Sequence, residues 1–241
     1  DGDDWVEIKP RVSPPGRHRA GMTYDPVRQQ AVLFGGQGSN LQFFSDTWLY
    51  AERQWQQWPT RWWTAHPSPR CGHCLTFDES QGVAVLFGGV GRFHQSLGDT
   101  WLFDGSRWKQ LKGPSPRPRR YASMAYDPDL QGCVLHGGSN DELGKESYGD
   151  AWLFRDGEWT CLGAEFKTSP RDDHGFAYHH TAQCLVMLEG VSAPRGILTR
   201  GANGWQRVAI RQLHPPHQCS PLVWNESLNG LMLHGGEVRH G

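Results

Sequence analysis

Cys71-Gly72-His73-Cys74 has the residue types and spacing most suggestive of chemistry in this chain. Two thiols separated by two residues are the arrangement of thiol–disulfide exchange, which needs the first cysteine at a helix N-terminus, where the dipole lowers its pKa. Here Leu75 and Phe77 follow in alternation, so the motif belongs on a strand. Residues three apart on a strand lie about 10 Å apart and face opposite sides, too far for a disulfide unless the backbone bends. A zinc site would need a second ligand pair at matching spacing, and the sequence has none. Redox exchange is therefore not expected, and Cys74 reads as a small core residue. Cys133, Cys161, Cys184 and Cys219 are irregularly spaced and read as core packing too. The redox compartment stays open.

Twelve histidines raise the possibility of a metal. His136 and His234 stand where Phe34 and Phe87 stand in other copies of the repeat described below, which makes them structural. His73 and His174 share an inner-strand position that could approach an axis, and His179-His180 sit in a turn. Two occurrences do not make a ring of ligands, so no metal, no cofactor and no catalytic residue is expected. Arg17, Arg70, Arg119 and Arg171 are more regular, each directly after a Pro or Gly. Either each guanidinium bonds loop carbonyls or a carboxylate such as Asp46, Asp99 or Asp150, or the four heads ring a channel mouth that would suit a carboxylate-bearing or sugar ligand. The first reading is preferred, because a position repeated in every unit is usually architecture.

These residues are positioned by a repeat with a period near fifty. The arginines are spaced by 53, 49 and 52 residues, and His217 takes the fifth place 46 residues on. Gly35-Gly36, Gly88-Gly89, Gly137-Gly138, a weakened Glu189-Gly190 and Gly235-Gly236 keep the same beat. Such a period is the signature of a propeller or array. Each unit holds four apolar pulses. The first alternates, as in Met22/Tyr24 and Leu75/Phe77, behind the small residues Gly21, Cys74, Ser123 and Gly175, as expected of an innermost strand. The second is continuous, as in residues 83–87, and reads as a strand buried on both faces. The third is Asp-Thr-Trp or Asp-Ala-Trp at Asp46, Asp99 and Asp150, with only residues 196–199 in its place in unit four. The fourth opens on Trp55, Trp108, Trp159 or Trp205, after tight turns such as Asp104-Gly105. Four antiparallel strands per unit make a propeller blade. Thirty Gly, sixteen Pro and twelve Trp fit such short strands and turns.

Unit by unit, this text resembles the kelch repeat of the kelch and galactose-oxidase central-domain superfamily: Gly-Gly after a buried strand, an Asp-X-Trp strand, then a second spaced Trp. The resemblance covers nearly the whole chain. It is specific in units one to three and degenerate in four and five. It implies an all-β, kelch-type propeller of four-stranded antiparallel blades, in one domain over residues 1–241. The units are an outer strand at 1–14, then 15–66, 67–116, 117–167, 168–213 and a partial 214–241. Propellers of this family commonly have six or seven blades, and a fragment of a longer chain is expected. Galactose oxidase needs copper held by two Tyr and two His, with a Cys cross-linked to one Tyr; no matching set is present, so the resemblance does not carry that activity across.

Function is expected where units differ. The loop after Gly-Gly is 37–45 in unit one, with Phe43 and Phe44; 90–98 in unit two, with Arg92, Phe93 and His94; and 139–149 in unit three, with Asp141, Glu142, Lys145 and Tyr148. Aromatic and charged side chains on long loops are suited to binding. Arg61-Trp62-Trp63, in the long link between units one and two, either stacks on a sugar or covers a blade edge. With 24 Lys+Arg against 25 Asp+Glu, a nucleic-acid partner is not expected, and no apolar run is long enough to span a bilayer. The expected function is non-catalytic recognition of a protein or glycan by a monomeric domain. The alternatives are a sugar epimerase or copper oxidase at the channel mouth, and a structural module of a larger secreted protein. The sequence names neither ligand nor compartment.

Overall fold

The computed structural model describes residues 6–60, 64–140, 146–188, 197–201, 204–208 and 222–233. Its regular structure is all β apart from one 3-10 turn, Ala164–Phe166. None of the described helices is long and apolar enough to cross a membrane. The chain divides into two compact units, residues 1–118 and 119–241.

In unit one, the first blade is the antiparallel sheet β1 (Gly21–Asp25), β2 (Gln30–Phe34), β3 (Thr47–Ala51) and β4 (Gln54–Gln57), in that order. The second contains β5 (Arg70–Cys71), β6 (Cys74–Asp78), β7 (Val83–Gly91), β8 (Ser96–Phe103) and β9 (Trp108–Leu111). Both β5 and β6 pair with β7. The inner strand is thus interrupted within the Cys71–Cys74 motif. Gly72 adopts a left-handed φ of 59°, and its N–H donates to the Arg19 carbonyl of the first blade instead of its own ladder. The expected single strand through the motif is corrected to two short ones.

In the first three blades the first hairpin is closed by an aspartate, Asp25, Asp78 or Asp127. Asp78 accepts from the N–H groups of Ser80 and Gln81, and Asp127 from those of Asp129 and Leu130. A carboxylate that accepts from the backbone N–H groups of its own turn helps to fix the hairpin. The blades of unit one share one core: Val32 and Phe34 from the first, and Leu75, Phe77, Leu86, Trp101, Phe103 and Trp108 from the second. Leu75 and Phe77 are buried there, whereas Met22 and Tyr24, at the same positions of the first blade, are exposed.

In unit two, a blade of β10 (Ser123–Asp127), β11 (Gly132–His136), β12 (Ala151–Arg155) and β13 (Glu158–Cys161) is followed by a second, β14 (Phe176–His179), β15 (Cys184–Leu188), β16 (Ile197–Gly201) and β17 (Gly204–Val208). The fourth unit therefore keeps its third strand although it has lost Asp-X-Trp. A two-stranded sheet, β18 (Leu222–Asn225) and β19 (Gly230–Leu233), ends the described structure.

Adjacent blades are stitched by backbone. Gly36 N donates to the Arg70 carbonyl and Gly138 N to the Arg171 carbonyl, each at 2.8 Å. A methyl at Gly35 would lie 2.7 Å from the Arg70 carbonyl oxygen, so the double glycine is where one blade's backbone meets the next.

Candidate functional site

The arginines make the same lock in three blades. Arg17 grips Asp46 at 2.6 and 2.9 Å, Arg70 grips Asp99 at 2.7 Å through both nitrogens, and Arg119 grips Asp150 at 2.7 and 3.0 Å. Nη1 of each also donates to the first carbonyl of its double glycine: Gly35, Gly88 or Gly137. The same aspartates accept from the indoles of Trp48, Trp101 and Trp152. Burial alone would raise the Asp99 carboxyl, but the bonds and charge of Arg70 and the bond from Trp101 outweigh it and hold it below the usual range; Asp46 and Asp150 behave alike. Arg171 is also buried, and bonds Ser169 and the Met187 sulfur. The structure thus places the arginine heads inside their blades, on partners of their own chain.

Phe44 and Tyr148 belong to the same construction. Their rings lie under Arg17 and Arg119, 4.2 and 4.4 Å from the guanidinium carbons. Their carbonyls accept from Arg70 N and Arg171 N at 3.1 Å. Asp141, Glu142 and Lys145, like Trp62 and Trp63, lie outside the described residues.

Cys71, Cys74, Cys133, Cys161 and Cys184 are not joined in disulfides. No group of three or more His, Cys, Asp or Glu among the described residues could hold a metal ion. His73 is instead a packing residue. Its ring meets Phe34 of the first blade edge-on at 5.5 Å, in space that a side chain at Gly21 would fill. Neither ring nitrogen finds a well-formed hydrogen bond. Burial, aided by the Arg70 charge, pushes its pKa down to about 3 against smaller pulls from Asp99 and the Phe34 backbone. In unit two, His174 Nε2 and His136 Nδ1 lie 3.2 Å apart, and Thr168 Oγ1 is 3.1 Å from His136 Nε2. Burial and the Arg171 charge push His136 down to about 3, with Asp150 opposing; burial, His136 and Arg171 push His174 well down.

The loops of the first two blades do converge. His18 pairs with Gln37 across an isolated bridge, and Gln37 with Phe43. The Phe43 ring then meets His94 edge-on at 6.0 Å, joining the loop of one blade to that of the next. Phe93 (84% exposed) and Leu41 (71%) stand out from this cluster, and Arg92 is exposed beside them. Leu41 was not singled out from sequence. Its signal was faint, a lone apolar residue in a polar loop.

The blade geometry and the Arg–Asp–Trp lock agree with what comparison finds. The model of the KLHDC2/KLHL20/DRC7 Kelch-repeats domain matches residues 3–187. The chain belongs to this kelch-repeat family. It is similar to an F-box/kelch-repeat protein of Arabidopsis thaliana, 29% identical over 176 residues, covering 65% of this chain and 36% of that protein. It is also similar to the flagellar outer-arm dynein alpha chain of Chlamydomonas reinhardtii, 35% identical over 112 residues (41% of this chain, 2% of that one). Adagio protein 3 of Arabidopsis thaliana is 32% identical over 123 residues (48% and 19%). The kelch chain thus matches at most about a third of these relatives' own lengths.

Proposed function

We propose that this kelch chain is a non-catalytic binding domain that recognises a protein partner through the loop face of its first two blades. The observation that carries the reading is the junction at Phe43 and His94, where two loops that vary between blades meet and present Phe93 and Leu41 to solvent. The arginines that recur in the first two blades are spent on architecture, since Arg17 and Arg70 are closed on Asp46 and Asp99. An exposed aromatic and an aliphatic tip on a rigid scaffold are suited to seating a partner's side chains.

A random peptide display library and a glycan array, each screened against the intact chain and against Phe93→Ser, test this. Peptides that bind the chain and are lost with Phe93→Ser are expected. Recovery of glycans alone, or of peptides indifferent to Phe93, would overturn the reading.

A further inference from the structure

We infer that the seam between the third and fourth blades is an acid-sensitive joint, which parts on mild acidification before the corresponding seam between the first two blades. The two seams are built alike. Gly36 N donates to the Arg70 carbonyl across one, and Gly138 N to the Arg171 carbonyl across the other. The bonds beside these match too, from Arg70 N to the Phe44 carbonyl and from Arg171 N to the Tyr148 carbonyl. The difference lies in the rings packed behind them. The first seam sets Phe34 against His73, whereas the other sets His136 against His174, edge-on with ring centroids 5.1 Å apart. Where the first seam buries one imidazole, the other buries a pair.

The hydrogen bonds of the pair leave each ring a place for one proton only. Thr168 Oγ1 donates its single hydrogen to the Ser169 carbonyl at 2.9 Å. Towards His136 Nε2, 3.1 Å away, it therefore accepts, and that nitrogen carries the proton. His136 Nδ1 is then an acceptor, to which His174 Nε2–H donates at 3.2 Å. His174 Nδ1 keeps a lone pair that finds no hydrogen-bond partner among the described residues. A second proton on His136 Nδ1 would set two N–H donors face to face. A second proton on His174 Nδ1 would be a buried donor without an acceptor. Gly137 backs onto the pair so closely that a methyl there would lie 3.0 Å from His174 Cε1, which leaves little space for rearrangement.

The surroundings do not favour a cation either. From β14 and β17 the pair meets the rings of Phe176 and Trp205, and from β10 the Ser123 hydroxyl bonds the His174 carbonyl. The charged groups acting on it are Arg171, Arg119 and Asp150, and that carboxylate is already paired with Arg119. Burial, then the Arg171 charge, holds His136 far below histidine's ordinary pKa; burial, then His136 and Arg171, does the same to His174. Once the seam parts, both rings reach water and titrate near 6.5. Below that pH, each proton that only the open form accepts shifts the opening equilibrium about tenfold per pH unit. The shift is about hundredfold per unit for the pair and about tenfold for His73.

Amide hydrogen exchange on the intact chain from pH 6.5 to 5, corrected for intrinsic rates, tests this. Gly138 and Arg171 report one seam, and Gly36 and Arg70 the other. In wild type the opening constant at Gly138 and Arg171 should rise about hundredfold per pH unit, against about tenfold at Gly36 and Arg70. His136→Phe, which restores the ring that the first seam carries, should reduce the steeper slope to about tenfold per unit. Equal slopes at the two wild-type seams would mean that the chain opens as one body, and would overturn the inference. So would a slope at Gly138 that His136→Phe leaves unchanged. Should that variant fail to fold, ring-carbon NMR of the wild type decides. His136 and His174 rings that stay neutral to pH 5 in the folded chain are expected, and rings that titrate near 6.5 there would overturn the joint.

Discussion

Arg70 has no side-chain surface exposed, and Asp99, the Gly88 carbonyl and Ser68 take up its donors. Asp99→Ala would leave that guanidinium buried beside an indole that has lost its acceptor. A cost of about 3–5 kcal/mol in urea unfolding is expected. Asp104→Ala, which breaks the exposed pair with Arg107, should cost less than about 1 kcal/mol in the same experiment. Comparable losses for the two would refute the lock. Gly21 supplies a second residue-scale test. A methyl there would lie 2.7 Å from both His73 Nε2 and Leu75 Cβ, so Gly21→Ala should destabilise by about 1–3 kcal/mol through overpacking. The sequence placed Gly21 in a column of small residues, and the crowding there comes from His73 and Leu75 of the neighbouring blade.

At the scale of strands, the fourth-strand tryptophans look alike in sequence and differ in use. Trp108 of β9 crosses to the first blade, donating to Thr47 Oγ1 at 2.9 Å and meeting Phe34 at 5.1 Å. Trp55 of β4 is half-buried and packs, tilted, against Tyr50 of its own blade. Trp108→Ala should therefore cost about 3–5 kcal/mol, and Trp55→Ala clearly less, when thermal unfolding of the two variants is compared. Equal effects would show that the crossing contact is idle. The strands themselves were readable, since alternation, Gly-Gly and Asp-X-Trp each depend on residues close in the chain. The split of the inner strand at Gly72 was not readable, because it is caused by a carbonyl fifty-three residues away at Arg19. The meeting of Phe43 and His94 was hidden for the same reason. Each loop could be named from its composition, but the offset that brings them together is set by the stitching of blades.

At the scale of the whole chain, the buried histidines make stability depend on pH. Unfolded, a histidine titrates near 6.5; His73 and His136 in the fold titrate at about 3, and His174 well below 6.5. Below pH 6.5 the unfolded chain takes up protons that the folded one refuses. Stability is therefore complete above that pH and falls as pH drops, by up to about 1.4 kcal/mol per pH unit for each such group. The lowered carboxyls of Asp46, Asp99 and Asp150 add a loss in the same direction below about pH 3.8, while Asp127, raised by burial, opposes it. Urea midpoints measured from pH 7.5 to 5 should fall, and less steeply in His73→Phe. A flat profile would mean that these rings accept protons in place.

The arginine lock closes within a blade, since Arg17 meets Asp46 and Arg70 meets Asp99, while the same arginine's backbone serves the blade before it. A duplicated gene segment of about fifty codons would carry both halves of each ion pair, so a newly copied blade would arrive electrically neutral at its centre. It would also bring the acceptor to which its predecessor's glycines attach. Growth by copying then needs no compensating change in the existing blades, and the loops remain free to diverge.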